Sequence, residues 1–186
     1  MERLILSVLL LLSLTTKAQT ILNGKGVYEI IKVEQYEDVN SEILYDRTLV
    51  ALSDIKGSSS HSKFNIDVAE KAGGIIVYKG ELFIGYRKVN IAGGYNYFAD
   101  LTLKVRCKDG RVQYTITVPT ITPYWDGNLN ITDKIPLTEI LPEYKYNGKL
   151  GYVKKGLLQF APEIYKYVTV FLDDIIKHTK NNEDDF

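Results

Sequence analysis

Two histidines, His61 and His178, and one cysteine, Cys107, are the only His and Cys side chains that the chain offers toward nucleophilic or zinc chemistry. A nucleophilic Ser, Cys or Thr needs a base within hydrogen-bond reach. Ser58, Ser59, Ser60 and His61 adjoin one another, but neighbours in a loop do not build a triad, and there is no Gly-x-Ser-x-Gly elbow. They read as a flexible turn. Zinc has no case, because two isolated histidines and one cysteine cannot supply ligands at any known spacing. Asp126, Asn128 and Asn130 stand at the alternate spacing of a calcium loop. That template then asks for Gly where Ile131 stands and for Glu where Leu137 stands, so it fails twice. No metal and no cofactor is expected.

Two groups remain that suit binding. Pro123-Tyr124-Trp125-Asp126 sets an aromatic pair beside a carboxylate, as a sugar- or peptide-binding loop would, although Tyr and Trp also close over the edges of cores. Lys104, Arg106, Lys108 and Arg111 form the second group, and their meaning depends on the elements that carry them.

Those elements are legible from periodicity. Lys108-Asp109-Gly110-Arg111 carries the Asp-Gly pair preferred in two-residue type I′ turns, and both flanks alternate. A two-residue loop sets Cys107 against Val112, Val105 against Tyr114, Leu103 against Ile116 and Leu101 against Val118. The apolar faces register without hydrophobicity having entered the turn argument. Lys104, Arg106, Lys108 and Arg111 then share the opposite face, with Thr102, Gln113, Thr115 and Thr117 around them. The same positions also suit an ordinary solvated sheet face. Cys107 falls on the apolar face and reads as a small core residue.

Strands are also predicted at Val27–Glu34, Lys63–Ala69, Gly74–Arg87 and Tyr95–Lys108. Between the first two, Leu44, Thr48, Ala51, Leu52 and Ile55 recur at helical spacing after an N-cap at Asn40 or Ser41. Beyond Pro162, Ile164, Val168, Phe171, Leu172, Ile175 and Ile176 make one apolar stripe of a C-terminal helix. Residues 119–160 are expected to be irregular, with a helical turn at most near Pro136–Leu141, and residues 181–186 a disordered acidic tail.

The order is strand, helix, four strands, helix. Ser41-Glu42-Ile43-Leu44-Tyr45-Asp46-Arg47, the Gly-rich turn before Ile75-Ile76-Val77-Tyr78-Lys79-Gly80, and Lys108-Asp109-Gly110-Arg111 followed by Tyr114-Thr115-Ile116-Thr117 resemble a family of exported Bacteroidetes proteins. That family is catalogued as a domain of unknown function with a TATA-binding-protein-like (TBP-like) fold. The resemblance spans roughly Val27 to Val118, more weakly the last helix. It implies an α+β fold in which a curved antiparallel sheet carries two helices on one face. It brings no activity and no catalytic residues.

The first eighteen residues read as a signal peptide, with Arg3, an apolar run from Leu4 to Leu14, and Thr16-Lys17-Ala18 before the cut. Eleven apolar residues make roughly 16 Å of helix against a hydrocarbon core of about 30 Å, too little for an anchor. The expected product is a single domain, residues 19–186, periplasmic or secreted, with no membrane or lipid anchor. Losing Arg3, Lys17 and Glu2 leaves 21 basic and 22 acidic residues, a net charge of about −1. A near-neutral exported chain has no global field to draw it onto nucleic acid, so none is expected despite the fold's namesake.

The expectation is therefore an exported, non-catalytic binding or structural module whose partner is an envelope protein or polymer. The alternative is a hydrolytic enzyme acting on an envelope or dietary polymer, served by Asp126 and the acidic residues after it. A concave site holding two convergent titratable groups would favour the enzyme, and a flat or grooved face the module.

Overall fold

The computed structural model describes residues 19–22, 28–58, 63–91, 93–126, 134–137, 151–160 and 163–181. In chain order the elements are β1 (Gln19–Leu22), β2 (Tyr28–Gln35), α1 (Ser41–Ser58), β3 (Lys63–Glu70), β4 (Ile75–Asn90), β5 (Gly93–Lys108), β6 (Arg111–Trp125), β7 (Ile135–Pro136), α2 (Gly151–Phe160) and α3 (Ile164–Asn181). The strands form one curved antiparallel sheet in the order β1-β2-β6-β5-β4-β3, with β7 paired to β6. The fold is α+β, as the periodicity predicts. No helix among the described residues is long and apolar enough to cross a membrane.

One face of the sheet is the core. Ile76 and Tyr78 of β4, Leu103 and Val105 of β5, and Val112, Tyr114 and Ile116 of β6 are all fully buried. Each strand alternates, so these side chains share the face that meets the helices. The predicted stripes are the ones that pack: Leu44, Thr48, Ala51, Leu52 and Ile55 of α1 are buried, as are Ile164, Val168, Phe171, Leu172, Ile175 and Ile176 of α3. Phe64 stacks between Tyr78 of the sheet and Phe171 of α3, with ring centroids 5.2 and 4.9 Å away. At the β2 side α3 is held by ion pairs, Lys32 to Asp173 and Lys180 to Glu34, each 2.9 Å long.

The β5–β6 hairpin pairs Lys108 with Arg111, Cys107 with Val112, Val105 with Tyr114 and Leu103 with Ile116, as predicted. Its turn is not type I′. That type needs positive φ at both central residues, but here Gly110 has it, at 72°, and Asp109 does not. The pattern of signs is that of a type II turn. Tertiary contacts account for the change: Asp109 Oδ1 accepts the Ser41 N–H at 2.8 Å, the Gly110 N–H donates to Val39 O, and the Tyr36 N–H donates to Gly110 O. Asp109 thus satisfies one of the open N–H groups at the start of α1, while Asn40 Oδ1 caps Ile43 N–H at 2.9 Å. The hydrogen bonds from Ser41 hold the Asp109 carboxyl below its ordinary pKa.

Further along, the pairing passes from Thr102↔Thr117 to Asp100↔Thr120, so a bulge replaces the predicted Leu101–Val118 pair. The segment expected to be irregular also departs from prediction. β6 runs on to Trp125, β7 adds two residues, and Gly151–Phe160 is a helix. Pro119 and Pro123 are tolerated because β2 ends opposite Val118, and beyond it only Thr120 and Ile121 pair with β7. Helix α2 lies on the core face, where Gly156 meets the Tyr97 ring and Phe160 packs on Tyr97 at 5.2 Å. The core face therefore carries three helices among the described residues rather than two. Residues 182–186 of the predicted tail lie outside the described residues.

Candidate ligand-binding face

Alternation places the other side chain of every strand on the face away from the helices; no described helix lies over it, and at its far end Phe98 and Thr122 are buried. Two different surfaces lie there.

The first is at the β5–β6 turn. Arg106 faces Gln113 across the pair and Lys108 faces Arg111, with Lys104 next along β5 beside Thr115. Arg106, Lys108 and Arg111 are exposed and Lys104 is half-buried. With Val33 and Gln113 the first three line a hollow of about 130 Å³. None of the four makes an ion pair among the described residues, whereas Lys32, Lys71, Lys79, Lys134 and Lys180 all do. Cations gathered without counter-charge repel one another, and an anion seated among them would relieve that.

The second surface is a cleft of about 740 Å³ further down the sheet. On its floor Glu81 of β4 stands directly opposite Asp100 of β5. Asp100 Oδ2 accepts the hydroxyls of Thr120 and Thr122, the latter at 2.8 Å, and Lys134 Nζ lies 3.2 Å from Oδ1. The Tyr124 hydroxyl donates to Glu81 Oε1 at 2.6 Å. Burial, with the nearby Glu81 carboxylate, raises the Tyr124 pKa well above its ordinary value, so the hydroxyl remains a donor.

Tyr124 and Trp125 do not form one patch. Successive residues of a strand point to opposite faces, so Tyr124 enters the cleft while Trp125 turns to the helix side, edge-on to Tyr95 at 4.8 Å. Cys107 is core, and burial pushes its thiol up to about 11, which makes it a poor nucleophile at neutral pH. His178 sits on α3 with its Nδ1 2.8 Å from Asp174 O and 3.5 Å from the Asp174 carboxylate of the same helix. Of the serine run and the calcium loop, residues 59–62 and 127–133 lie outside the described residues. Leu137, at the twelfth position of the calcium template, is a buried apolar residue. Among the described residues no three His, Cys, Asp or Glu side chains gather to hold a metal.

With the sheet and helices placed, solved structures can be compared. A DUF4468 family protein from Bacteroides ovatus superposes with a TM-score of 0.58 at 17% identity, over 87% of this chain and 90% of that one. A TBP-like protein from Parabacteroides distasonis does so at 0.56 and 14%, over 87% and 96%. The fold is TBP-like. These neighbours match the family type that the short motifs resemble, and neither is named for an activity. No family model matches the sequence, and no curated protein does.

In this TBP-like fold the four basic residues stand together as the alternation predicts, and Tyr124 joins a group that the sequence reading missed. Glu81 and Asp100 lie nineteen positions apart in the chain and meet only through the β4–β5 register.

Proposed function

We propose that this chain is an exported binding module, periplasmic or secreted once residues 1–18 are removed, and that the basic end of the sheet face away from the helices holds an anionic group of an envelope protein or polymer. The observation that carries the reading is the hollow among Arg106, Lys108 and Arg111, whose charges have no counter-ion among the described residues. Nucleic acid is not the proposed ligand. A phosphate backbone laid along the sheet would cross Glu81 and Asp100, and export keeps the protein from chromosomal DNA.

Reversing Lys104 and Arg106 to Glu tests the site. The melting temperature should hardly change, because neither residue makes an ion pair among the described residues. Retention on immobilised polygalacturonate should fall at least about fourfold: two lost attractions and two new repulsions, each worth about 0.2–1 kcal/mol when exposed, sum to about 0.8–4 kcal/mol. Retention of the unaltered protein should also weaken as salt is raised. Equal retention by the double variant would remove this surface from the account.

The alternative of a hydrolytic enzyme finds its support in Glu81 and Asp100, the convergent carboxylates of a concave site. Asp100 is already held by two threonine hydroxyls and a lysine, which favours a fixed acceptor for a ligand over a group free to attack or to shuttle a proton.

A further inference from the structure

The cleft over Glu81 and Asp100 is a second site, some six residues along β5 from Arg106 and so roughly 20 Å away. Like charges directly opposite in an antiparallel pair destabilise it. Here the pair is retained, and Thr120, Thr122, Lys134 and Tyr124 are arranged around it. One carboxylate is thereby fixed and the other keeps an open oxygen: Glu81 Oε1 takes the Tyr124 hydroxyl, and Oε2 has no partner among the described residues. Lys63 stands opposite Glu81 on the β3 side and forms no ion pair among the described residues. The cleft thus offers an unspent acceptor beside an unspent donor.

Elimination gives the ligand class. Three carboxylates line the cleft, Glu81 and Asp100 on the floor and Asp67 paired with Lys79, and three lysines, Lys63, Lys79 and Lys134, balance them, so neither an anion nor a cation is favoured. A hydrocarbon could satisfy none of these groups. A hydroxyl donates to a carboxylate and accepts from an ammonium at once, so a ligand bearing several adjacent hydroxyls uses both sets. Beyond Asp100 the cleft is bordered by the ring of Tyr124, which the buried Phe98 backs edge-to-face at 5.2 Å, an apolar border for the C–H face of a ring. The volume, about 740 Å³, lies within the roughly 300–1,000 Å³ of small-molecule sites. We propose that this cleft binds a neutral saccharide unit, with Glu81 and Asp100 accepting from its hydroxyls and Lys63 donating to them. The inference does not depend on the basic end, which takes an anion.

Affinity electrophoresis of the protein in native gels containing dextran, laminarin, mannan or xylan tests it, with polygalacturonate as the anionic counterpart. At least one neutral polymer should retard the protein. Glu81→Gln should weaken that retardation about tenfold or more, the value of one hydrogen bond to a charged group, while leaving migration in polygalacturonate unchanged. Lys104→Glu with Arg106→Glu should do the reverse. Asp100→Asn is read only if its melting temperature shows it folded, and Glu81→Gln decides the matter otherwise. Migration unaffected by all four neutral polymers, or retardation that Glu81→Gln leaves intact, would overturn the saccharide site while leaving the anion site standing.

Discussion

Leu103→Ala and Ile116→Ala are each expected to cost about 2–5 kcal/mol of stability in urea melts, and Thr102→Ala and Gln113→Ala much less. Leu103 and Ile116 are fully buried cross-strand partners on the core face of the central hairpin, so truncating either leaves a cavity that the packed helices cannot close. Thr102 and Gln113 lie on the bare face of the same strands and are only partly buried. The contrast between the two sets matters more than either value, because it depends on which face is which. Equal losses would mean that the faces are assigned wrongly, and the ligand-binding face with them.

Gly156→Ala is expected to destabilise the protein by roughly 1–3 kcal/mol, although in an exposed helix the same change helps by about 0.5–1 kcal/mol. A Cβ at position 156 would lie 2.0 Å from the Tyr97 hydroxyl oxygen and 2.1 Å from the ring carbon bearing it. Tyr97 is fully buried against Phe160 and Tyr95, so its ring cannot step aside. Relief would come only by lifting α2 from the sheet. Hydrogen exchange should accordingly quicken in Gly151–Phe160 before it does in α3. A gain in stability would show that α2 does not dock through Gly156.

Much of this architecture is written in local patterns. The apolar stripes of α1 and α3 are unbroken, and the hairpin register from Lys108–Arg111 to Leu103–Ile116 follows from a two-residue loop joined to strict alternation. The pattern fails where a tertiary partner decides. Asp109 takes a type II conformation because Ser41 needs an acceptor, which no inspection of Lys108–Arg111 alone would reveal. Pro119 and Pro123 look like strand breakers, yet each sits where one edge of β6 is nearly free. Gly156 in mid-segment hides a helix for which it is needed.

The candidate site divides in the same way. The basic end lies within one hairpin and could be read from it. The cleft could not, because β4 and β5 pair through two bulges, at Phe83/Gly85 and at Lys88/Asn90. Counted without bulges from the Asn90–Gly93 pair, Glu81 would fall opposite Thr102. Each bulge shifts the register by one, and together they bring Glu81 opposite Asp100. Trp125 shows the converse error: it is adjacent to Tyr124 in sequence and on the other side of the sheet.

The most direct test of the central claim, that the partner is met on the face away from the helices, is a lysine footprint of the protein beginning at Gln19. Acetylation would be compared with and without envelope extract and read by mass spectrometry. Lys104 and Lys108 on the bare face should be protected, while Lys166 and Lys177, exposed on α3, should react equally in both samples. Protection of Lys166 and Lys177 with Lys104 and Lys108 still fully reactive would place the partner on the helices and contradict the account.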